Sequence, residues 1–333
     1  ISPQVVKFGK RSFSSCRHLK HVEISIDSKL QLIEKESFFY SSIRSIKIPK
    51  SVTKIDERTF CYCRQLKEIE IPKDSQLQTI GEYAFHATSI ESFAIPSKLI
   101  ELKNGWCCET QKLNEIFVSP ENPFFKLFDN KLLLKKSSID KDCFDELVFC
   151  VRNVETIKIP DFIVKICSSA FYGCLKLKII EFSNESKLQI IEKSAFTGTP
   201  IESITIPSTV KIIGEDCFTF CFNLKQIEIS DDSELNIIEK NAFRSTEIEN
   251  IKIPSKVTKI DNEALTYCRR LSKIEIAKDS KLEVFNGIKI NEKVQEPNSM
   301  NSSNFPFFKD FNNKLIARKS SIEKENFDEL IFC

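Results

Sequence analysis

A short phrase recurs along this chain: an apolar residue, any residue, a second apolar residue, then Pro or a small residue. It stands at Val22–Ser25, Ile46–Pro49, Ile69–Pro72, Phe93–Pro96 and Ile116–Ser119. It returns at Ile157–Pro160, Ile180–Ser183, Ile204–Pro207, Ile227–Ser230, Ile251–Pro254 and Ile274–Ala277. Within each group it recurs after about 23 and about 24 residues in alternation, a fixed period that signals stacked coils rather than one globule. Each phrase predicts a strand whose outer apolar pair shares one face while the middle residue takes the other. Pro then ends the pairing, because it has no N–H to donate.

The rest of each coil is also patterned. A second apolar pair follows the phrase, as in Val52-x-x-Ile55 and Val210-x-x-Ile213. Next comes a small residue and Phe, as at Ala84-Phe85, Ala170-Phe171, Ala195-Phe196 and Ala242-Phe243. Half the coils continue as Phe-x-x-Cys-x-x-Leu: Phe13/Cys16/Leu19, Phe60/Cys63/Leu66, Phe171/Cys174/Leu177 and Phe218/Cys221/Leu224, with Leu265/Cys268/Leu271 carrying Leu for Phe. The others read Phe-x-x-Thr-x-Ile, as at Phe85/Thr88/Ile90 and Phe243/Thr246/Ile248. Leu224-x-x-Ile227-x-Ile229 matches the leucine-rich-repeat strand signature. With Ile-Pro, Val-x-x-Ile and Ala-Phe-x-x-Cys added, the chain resembles the BspA-like class of leucine-rich repeats over nearly its whole length. The Gly usual after the second apolar pair survives only at Gly81 and Gly214. The resemblance implies a right-handed horseshoe solenoid, mainly β with short turns or 3-10 or helical segments, and phrase strands on the concave side.

Two stretches break the rhythm. Pro123-Phe124-Phe125-Lys126 through Cys150 is echoed by Pro306-Phe307-Phe308-Lys309 through Cys333, including Phe144–Leu147 against Phe327–Leu330. Asp129-Asn130-Lys131 and Asn312-Asn313-Lys314 are turn-like between apolar segments. The expected organisation is one continuous solenoid of two blocks. Residues 1–150 end in a hairpin-like insert at about 120–150, and residues 151–333 end in its equivalent at about 305–333. Pro297 to Asn304, rich in Asn and Ser, reads as a loop. Ile1 reads as the last residue of a strand, so the chain reads as a fragment or processed product.

Stacking sets each Ile, Val, Leu and Phe against its copy in the next coil. The middle strand residues then form an outward ladder: Glu23, Lys47, Glu70, Ala94 and Phe117, followed by Lys158, Glu181, Thr205, Glu228, Lys252 and Glu275. Opposite charges on adjacent strands are worth ~0.2–1 kcal/mol each. The plainer reading is a solvated, self-compensated surface. The sharper one is a docking face centred where charge is missing, at Ala94 and Phe117, with Phe124 and Phe125 of the adjoining insert.

Composition narrows the function. Hydrophobic residues make up 41 % and charged residues 29 %, with a net charge of +2. A balanced surface gives no electrostatic pull toward nucleic acid or an acidic membrane. No apolar run approaches the ~18 residues of a membrane span. The three His, at 18, 21 and 86, leave little for imidazole chemistry, and His18 and His21 beside Glu23 read as surface residues. Thirteen Cys invite metal or disulfide readings. Cys16, Cys63, Cys174, Cys221 and Cys268 share one slot, and within each block its copies lie two coils apart, about 10 Å at strand spacing, beyond disulfide reach. They read as free, buried core thiols. Cys217, before Phe218, reads as core too. Cys61-x-Cys63 and Cys107-Cys108 lack a second pair at zinc-finger spacing, so no metal is expected. Cys61 and Cys108 follow the Phe slot and are expected to be exposed. Asn184-Glu185-Ser186 and Asn301-Ser302-Ser303 are glycosylation triplets that also arise by chance.

Phosphate-binding glycine loops and nucleophile elbows are absent. No catalytic residues and no cofactor are expected. The expectation is a protein-binding or adhesion module with a protein ligand. By resemblance it lies on a cell surface or is secreted. The alternative, an intracellular scaffold, fits the Cys content. Trp106, the only Trp, falls in the slot held elsewhere by Ala84, Ala170 or Ala242. A ring that size overpacks a tight coil, so Trp106 should end the regular stack and pack against the first insert.

Overall fold

The computed structural model describes residues 1–25, 27–261, 263–277, 279–285, 288–289, 309–311 and 314–316. The chain is a β-solenoid of about 12 coils, each of about 23 residues. Among the described residues there is no helix, so the helical segments allowed by the repeat pattern are replaced by two-residue strands and turns. Two compact units emerge, Ile1–Val154 with Cys167–Leu175, and Glu155–Ile166 with Lys176–Cys333. Most of the second insert, the loop Pro297 to Asn304 and the triplet at Asn301 lie outside the described residues.

Each unit carries two rows of parallel strands. The apolar phrases form the first row, but not as one sheet. They pair two by two: Ser45–Lys47 with Glu68–Glu70 and Ser92–Ile95 with Glu115–Val118 in the first unit. In the second unit Thr156–Ile159 pairs with Ile179–Phe182, Ser203–Ile206 with Gln226–Ile229, and Asn250–Ile253 with Lys273–Ile276. Paired strands are those joined by the shorter step of the repeat, as Ile204 is to Ile227. The longer step, as from Ile227 to Ile251, joins strands without a ladder. The continuous sheet expected from the phrase is thus cut at every second coil.

The second row is unbroken in each unit. In the first unit Ile33, Ile55, Ile80 and Leu102 are successive partners, reached by a short, a long and again a short step. In the second unit Ile166, Ile191, Ile213, Ile238, Ile260 and Phe285 keep the same alternation of long and short. Steps alternate in both rows, yet this one is paired throughout and the other two by two. At Gly81 and Gly214 the neighbouring coil's backbone would stand 2.4 and 2.7 Å from an added Cβ, so a side chain there has no room.

Around the Phe slot the chain does something the hydrophobic pattern does not announce. Residues two before and two after it have positive φ: Glu36 and Tyr40 around Phe38 at 59° and 56°, Asp216 and Phe220 around Phe218 at 54° and 61°. Left-handed backbone costs a residue with a side chain roughly 1–2 kcal/mol. Here it turns alternate N–H groups toward the next coil. Glu36 N donates to Glu57 O (3.0 Å), Phe38 N to Thr59 O (2.9 Å) and Tyr40 N to Cys61 O (3.0 Å). Asp216, Phe218 and Phe220 repeat this on Lys240, Ala242 and Arg244. This third set of inter-coil bonds satisfies buried amides that otherwise would carry a larger penalty.

Phe rings form the core beneath it. Phe13, Phe38, Phe60 and Phe85 stack at 4.9, 5.2 and 5.3 Å between centroids. Phe196, Phe218 and Phe243 stack at 5.3 and 5.4 Å with planes 2° apart. Each ring buried this way contributes roughly 1.5–3 kcal/mol before chain entropy.

The described cysteines are all free thiols. Cys63, Cys174, Cys221 and Cys268 are buried, while Cys16 in the outermost described coil is half-buried. These thiols are more than small apolar groups. Cys63, Cys221 and Cys268 donate to the carbonyl of the Phe one coil earlier, at 2.9, 3.1 and 3.1 Å. Each also contacts the hydroxyl of that coil's Phe-x-x-Ser/Thr position: Ser41, Thr199 or Thr246. The alternation of Cys and Thr coils is therefore a packing code. Cys217 is buried, as its slot predicts. Cys61 and Cys108, expected outside, are 3 % and 4 % exposed. The left-handed turn folds over their slot, and a thiol is too short to reach out where His86 and Tyr172 partly do.

A cleft where the first insert leaves the coil

Asn122 starts the insert. Its Nδ2 donates to Pro96 O (2.7 Å) and Leu99 O (3.0 Å), and its Oδ1 accepts from Phe124 N (2.8 Å) and Phe125 N (2.9 Å). One buried amide thus uses both donors and its carbonyl oxygen to pin the departing chain to the preceding coil. Phe125–Phe128 and Leu132–Lys135 then pair antiparallel. They join through Asp129 and Asn130, both left-handed at φ 49° and 51°, the conformation of a type I′ hairpin turn. Glu146–Cys150 pairs on the other side of Leu132–Lys135, with a register shift between Leu133 and Leu134.

Between the last two strands the loop is held by Asp145, only 2 % exposed. It accepts from Ser137 N (2.9 Å), Ser137 Oγ (2.9 Å) and Lys141 Nζ (2.7 Å). Burial pushes its carboxyl up, but the bonds from Lys141 and Ser137 outweigh that and hold it below the usual range. Lys126 and Lys136 lie over the Phe144 ring at 6.0 and 5.3 Å.

A cleft of about 790 Å³ opens between this insert and the strand Glu115–Val118, lined by Phe117, Val118, Lys126, Leu127, Asn130 and Phe144 among others. Phe117 is 59 % exposed and lies in register with half-buried Ala94. Every other phrase pair places at least one charge in this position: Lys47 with Glu70, Lys158 with Glu181, Thr205 with Glu228, Lys252 with Glu275. Lys47 bridges Glu70 at 2.6 Å, and Thr205 donates to Glu228 at 2.9 Å. Of the expected surface residues, Phe124 is half-buried and does not line the cleft. Phe125 is 2 % exposed, because its strand position turns the ring inward, and it forms part of the cleft floor.

Trp106 occupies the small-residue slot, since Phe85 N donates to Trp106 O just as Phe60 N does to Ala84 O. Its ring meets Phe93 edge-on at 5.0 Å and tilts against Phe149 of the insert's last strand at 5.8 Å. His18 and His21 are exposed. His86 is half-buried, with Nε2 3.9 Å from Glu109, whose other oxygen accepts from Tyr172 Oη at 3.2 Å. Burial, more than Glu109 can offset, lowers the His86 pKa.

Asn122 and Asp145 escaped the sequence reading because neither occupies a repeat slot. Phe149-x-x-Arg152 also escaped it. It continues the Phe-x-x-Thr pattern, and Phe149 precedes Phe171 by the same step that separates Phe196 from Phe218.

Among the described residues the chain is a stack of coils of about 23 residues with an outward strand face and no helix. The chain belongs to the BspA type leucine rich repeat region family, whose model matches residues 1–114 and 137–272 in 6 copies. It is similar to a leucine rich cell surface protein from Faecalibacterium prausnitzii A2-165, at 28 % identity and a TM-score of 0.72, over 83 % of this chain and 71 % of that one. The pneumococcal vaccine antigen PcpA shares the fold at 19 % identity and a TM-score of 0.60, over 86 % of this chain and 65 % of the antigen. A leucine-rich repeat protein from Eubacterium ventriosum ATCC 27560 does so at 17 % identity and a TM-score of 0.55, over 82 % and 86 % of the two chains. No curated protein matches the chain in sequence. Among the described residues no helix is long and apolar enough to cross a membrane.

Proposed function

We propose that this chain is a non-catalytic protein-binding module, displayed on a cell surface or secreted, and that it docks its protein ligand at the cleft beside Phe117. One observation carries the site: Phe117 is a large exposed ring on a face whose other strand pairs are charged, and the cleft adjoins it. Exposed apolar patches bordered by polar groups mark interaction sites. Anchors that fill pockets dominate binding energy. The surface location draws support from the cell surface protein at 28 % identity.

The test places a photoreactive side chain at Ala94, captures what crosslinks at the surface of intact cells, and measures affinity for the protein so identified. Phe117→Asp should weaken that affinity at least ~10-fold, while the fold, checked by circular dichroism, stays intact. A charge change at Glu181 should leave it alone. Unchanged affinity in a folded Phe117→Asp variant rejects the site. A second reading, an intracellular scaffold with the same face, is favoured by the free thiols, exposed Cys143 among them. Location of the full-length protein by cell fractionation separates the two.

A further inference from the structure

Between Asn130 and Ser169 no residue has positive φ. The coil that follows the insert therefore lacks the left-handed turn of its neighbours, and one long side chain fills the space. Arg152 is 3 % exposed. Its Nη1 donates to Ala170 O (3.1 Å) and to Cys174 Sγ (3.4 Å), and its Nη2 lies 3.9 Å from Cys107 Sγ. The guanidinium lies 4.3 Å over the Phe149 ring. It thus bridges the turn that holds Cys107 and the turn that holds Cys174.

This cation has no counter-charge. Among the described residues no carboxylate pairs with Arg152. The carboxylate of Glu109 accepts from Tyr172 Oη (3.2 Å), stands 3.9 Å from His86 Nε2, and does not reach the guanidinium. Cys150 Sγ donates to Val151 O (3.4 Å), and Cys174 Sγ to the carbonyls of Cys150 and Val151 (3.9 and 3.8 Å), the arrangement of protonated thiols. A guanidinium cannot shed its proton in a protein, and a buried charge without a partner is costly. The face of Phe149 offsets only part of that cost.

Two N–H donors beside it are also unanswered. Arg152 Nε is buried and has no partner. Glu109, left-handed at φ 55°, stands two residues after the Phe slot, where Tyr40, Tyr62, Ala87, Phe220 and Ser245 each donate an N–H to the next coil. Among the described residues no carbonyl accepts from Glu109 N. Both donors border one space. At buried Gly173, left-handed at φ 91°, an added Cβ would have Arg152 Nε at 3.8 Å, Glu109 Cα at 3.8 Å and Glu109 N at 3.9 Å as its nearest neighbours. Main-chain N–H groups at such turns commonly hold anions.

We propose that a chloride ion binds here, neutralising Arg152 and accepting hydrogen bonds from Arg152 Nε and Glu109 N. The permanent positive charge selects an anion. Burial of Arg152, Cys107, Gly173 and Cys174 favours a monatomic ion over phosphate or an organic acid. The ion ties the last turn before the insert to the first turn after it, at the one place where Glu109 lacks the bond its counterparts make.

The test holds the full chain in gluconate, an anion too large for the space, and titrates chloride at constant ionic strength. Urea unfolding is followed by the emission of Trp106, whose ring also meets Phe149. Above half-saturation, each tenfold rise in chloride should lower the unfolding equilibrium constant about 10-fold, as one ion bound only to the folded state requires. In Arg152→Gln this dependence should vanish. Bromide should replace chloride, and crystals grown in it should show an anomalous peak beside Arg152 Nε and Glu109 N. A wild type indifferent to chloride, or a variant with the same dependence, overturns the proposal. Bromide peaks confined to surface lysines, an adventitious ion only, overturn it as well. Should Arg152→Gln not fold, the bromide map of the wild type decides alone.

Discussion

The two units use one repeat to different ends. In the second, Phe196, Phe218 and Phe243 stack with planes 2° apart, Thr and Cys alternate beneath them, and each outward strand pair carries charge. In the first, the stack runs from Phe13 to Phe85 and is then broken by Trp106, Cys107 and a three-stranded insert. The outward pair beside that break, Ala94 and Phe117, has no charge, and a cleft opens next to it. Regular repetition makes a surface in which every coil resembles its neighbours. A departure from repetition makes a place, with its own shape and chemistry.

Removing the ring at the break tests this contrast most severely. Trp106→Ala should cost about 3–5 kcal/mol, as large-to-small core changes do. The loss should appear first at residues 125–150, because Phe149 rests on that ring. Hydrogen exchange resolves the order. Equal loss of protection at Ile190–Ile191 and Ile212–Ile213 in the second unit would mean the insert has no stability of its own to lose.

Asp145→Ala should cost about 2 kcal/mol, since a buried carboxylate loses its bonds to Ser137 and Lys141. The folded carboxyl pKa lies below its unfolded value. Its contribution is therefore complete above the unfolded pKa and disappears as pH falls through the folded one. Urea melts from neutral to acid pH should show this increment in the wild type and not in the variant.

The smallest effect belongs to the charged ladder. Lys47→Ala should change stability by about 0.5 kcal/mol or less, since Lys47 and Glu70 are both more than half exposed. A larger loss in thermal melts would mean that the charged face holds the coils together and is more than a solvated covering.

Much of the architecture could be read in the phrase alone, because buried Ile and Phe recur only if coils stack. The position of Trp106 followed from counting slots. Three features were hidden for physical reasons. The left-handed turns are invisible because Arg, Glu, Tyr and Phe stand where Gly is the usual signal. The split of the first strand row depends on where a connection is long, and a period measured on one row cannot show it. The inward turn of Phe125 belongs to a strand whose start is pinned by Asn122, which owes nothing to the repeat. At the site, Phe117 and Ala94 were legible as missing charge. The cleft was not, because the insert's path had to be known first.

The linked Cys and Thr slots bear on how such an array can lengthen. Cys174, Cys221 and Cys268 recur at every second coil, and Thr199 and Thr246 recur at the same distance in the coils between. Duplicating a single coil would set thiol beside thiol or hydroxyl beside hydroxyl and would put two short or two long connections in succession. Duplicating two adjacent coils together preserves every partner. The heritable unit is therefore the coil pair, and viable insertions and deletions should fall in multiples of it. The alternation lapses beside the insert: Thr110 follows Thr88 in the slot where a Cys would stand, the insert enters there, and the chain resumes at Phe149 and Arg152 one coil before Cys174.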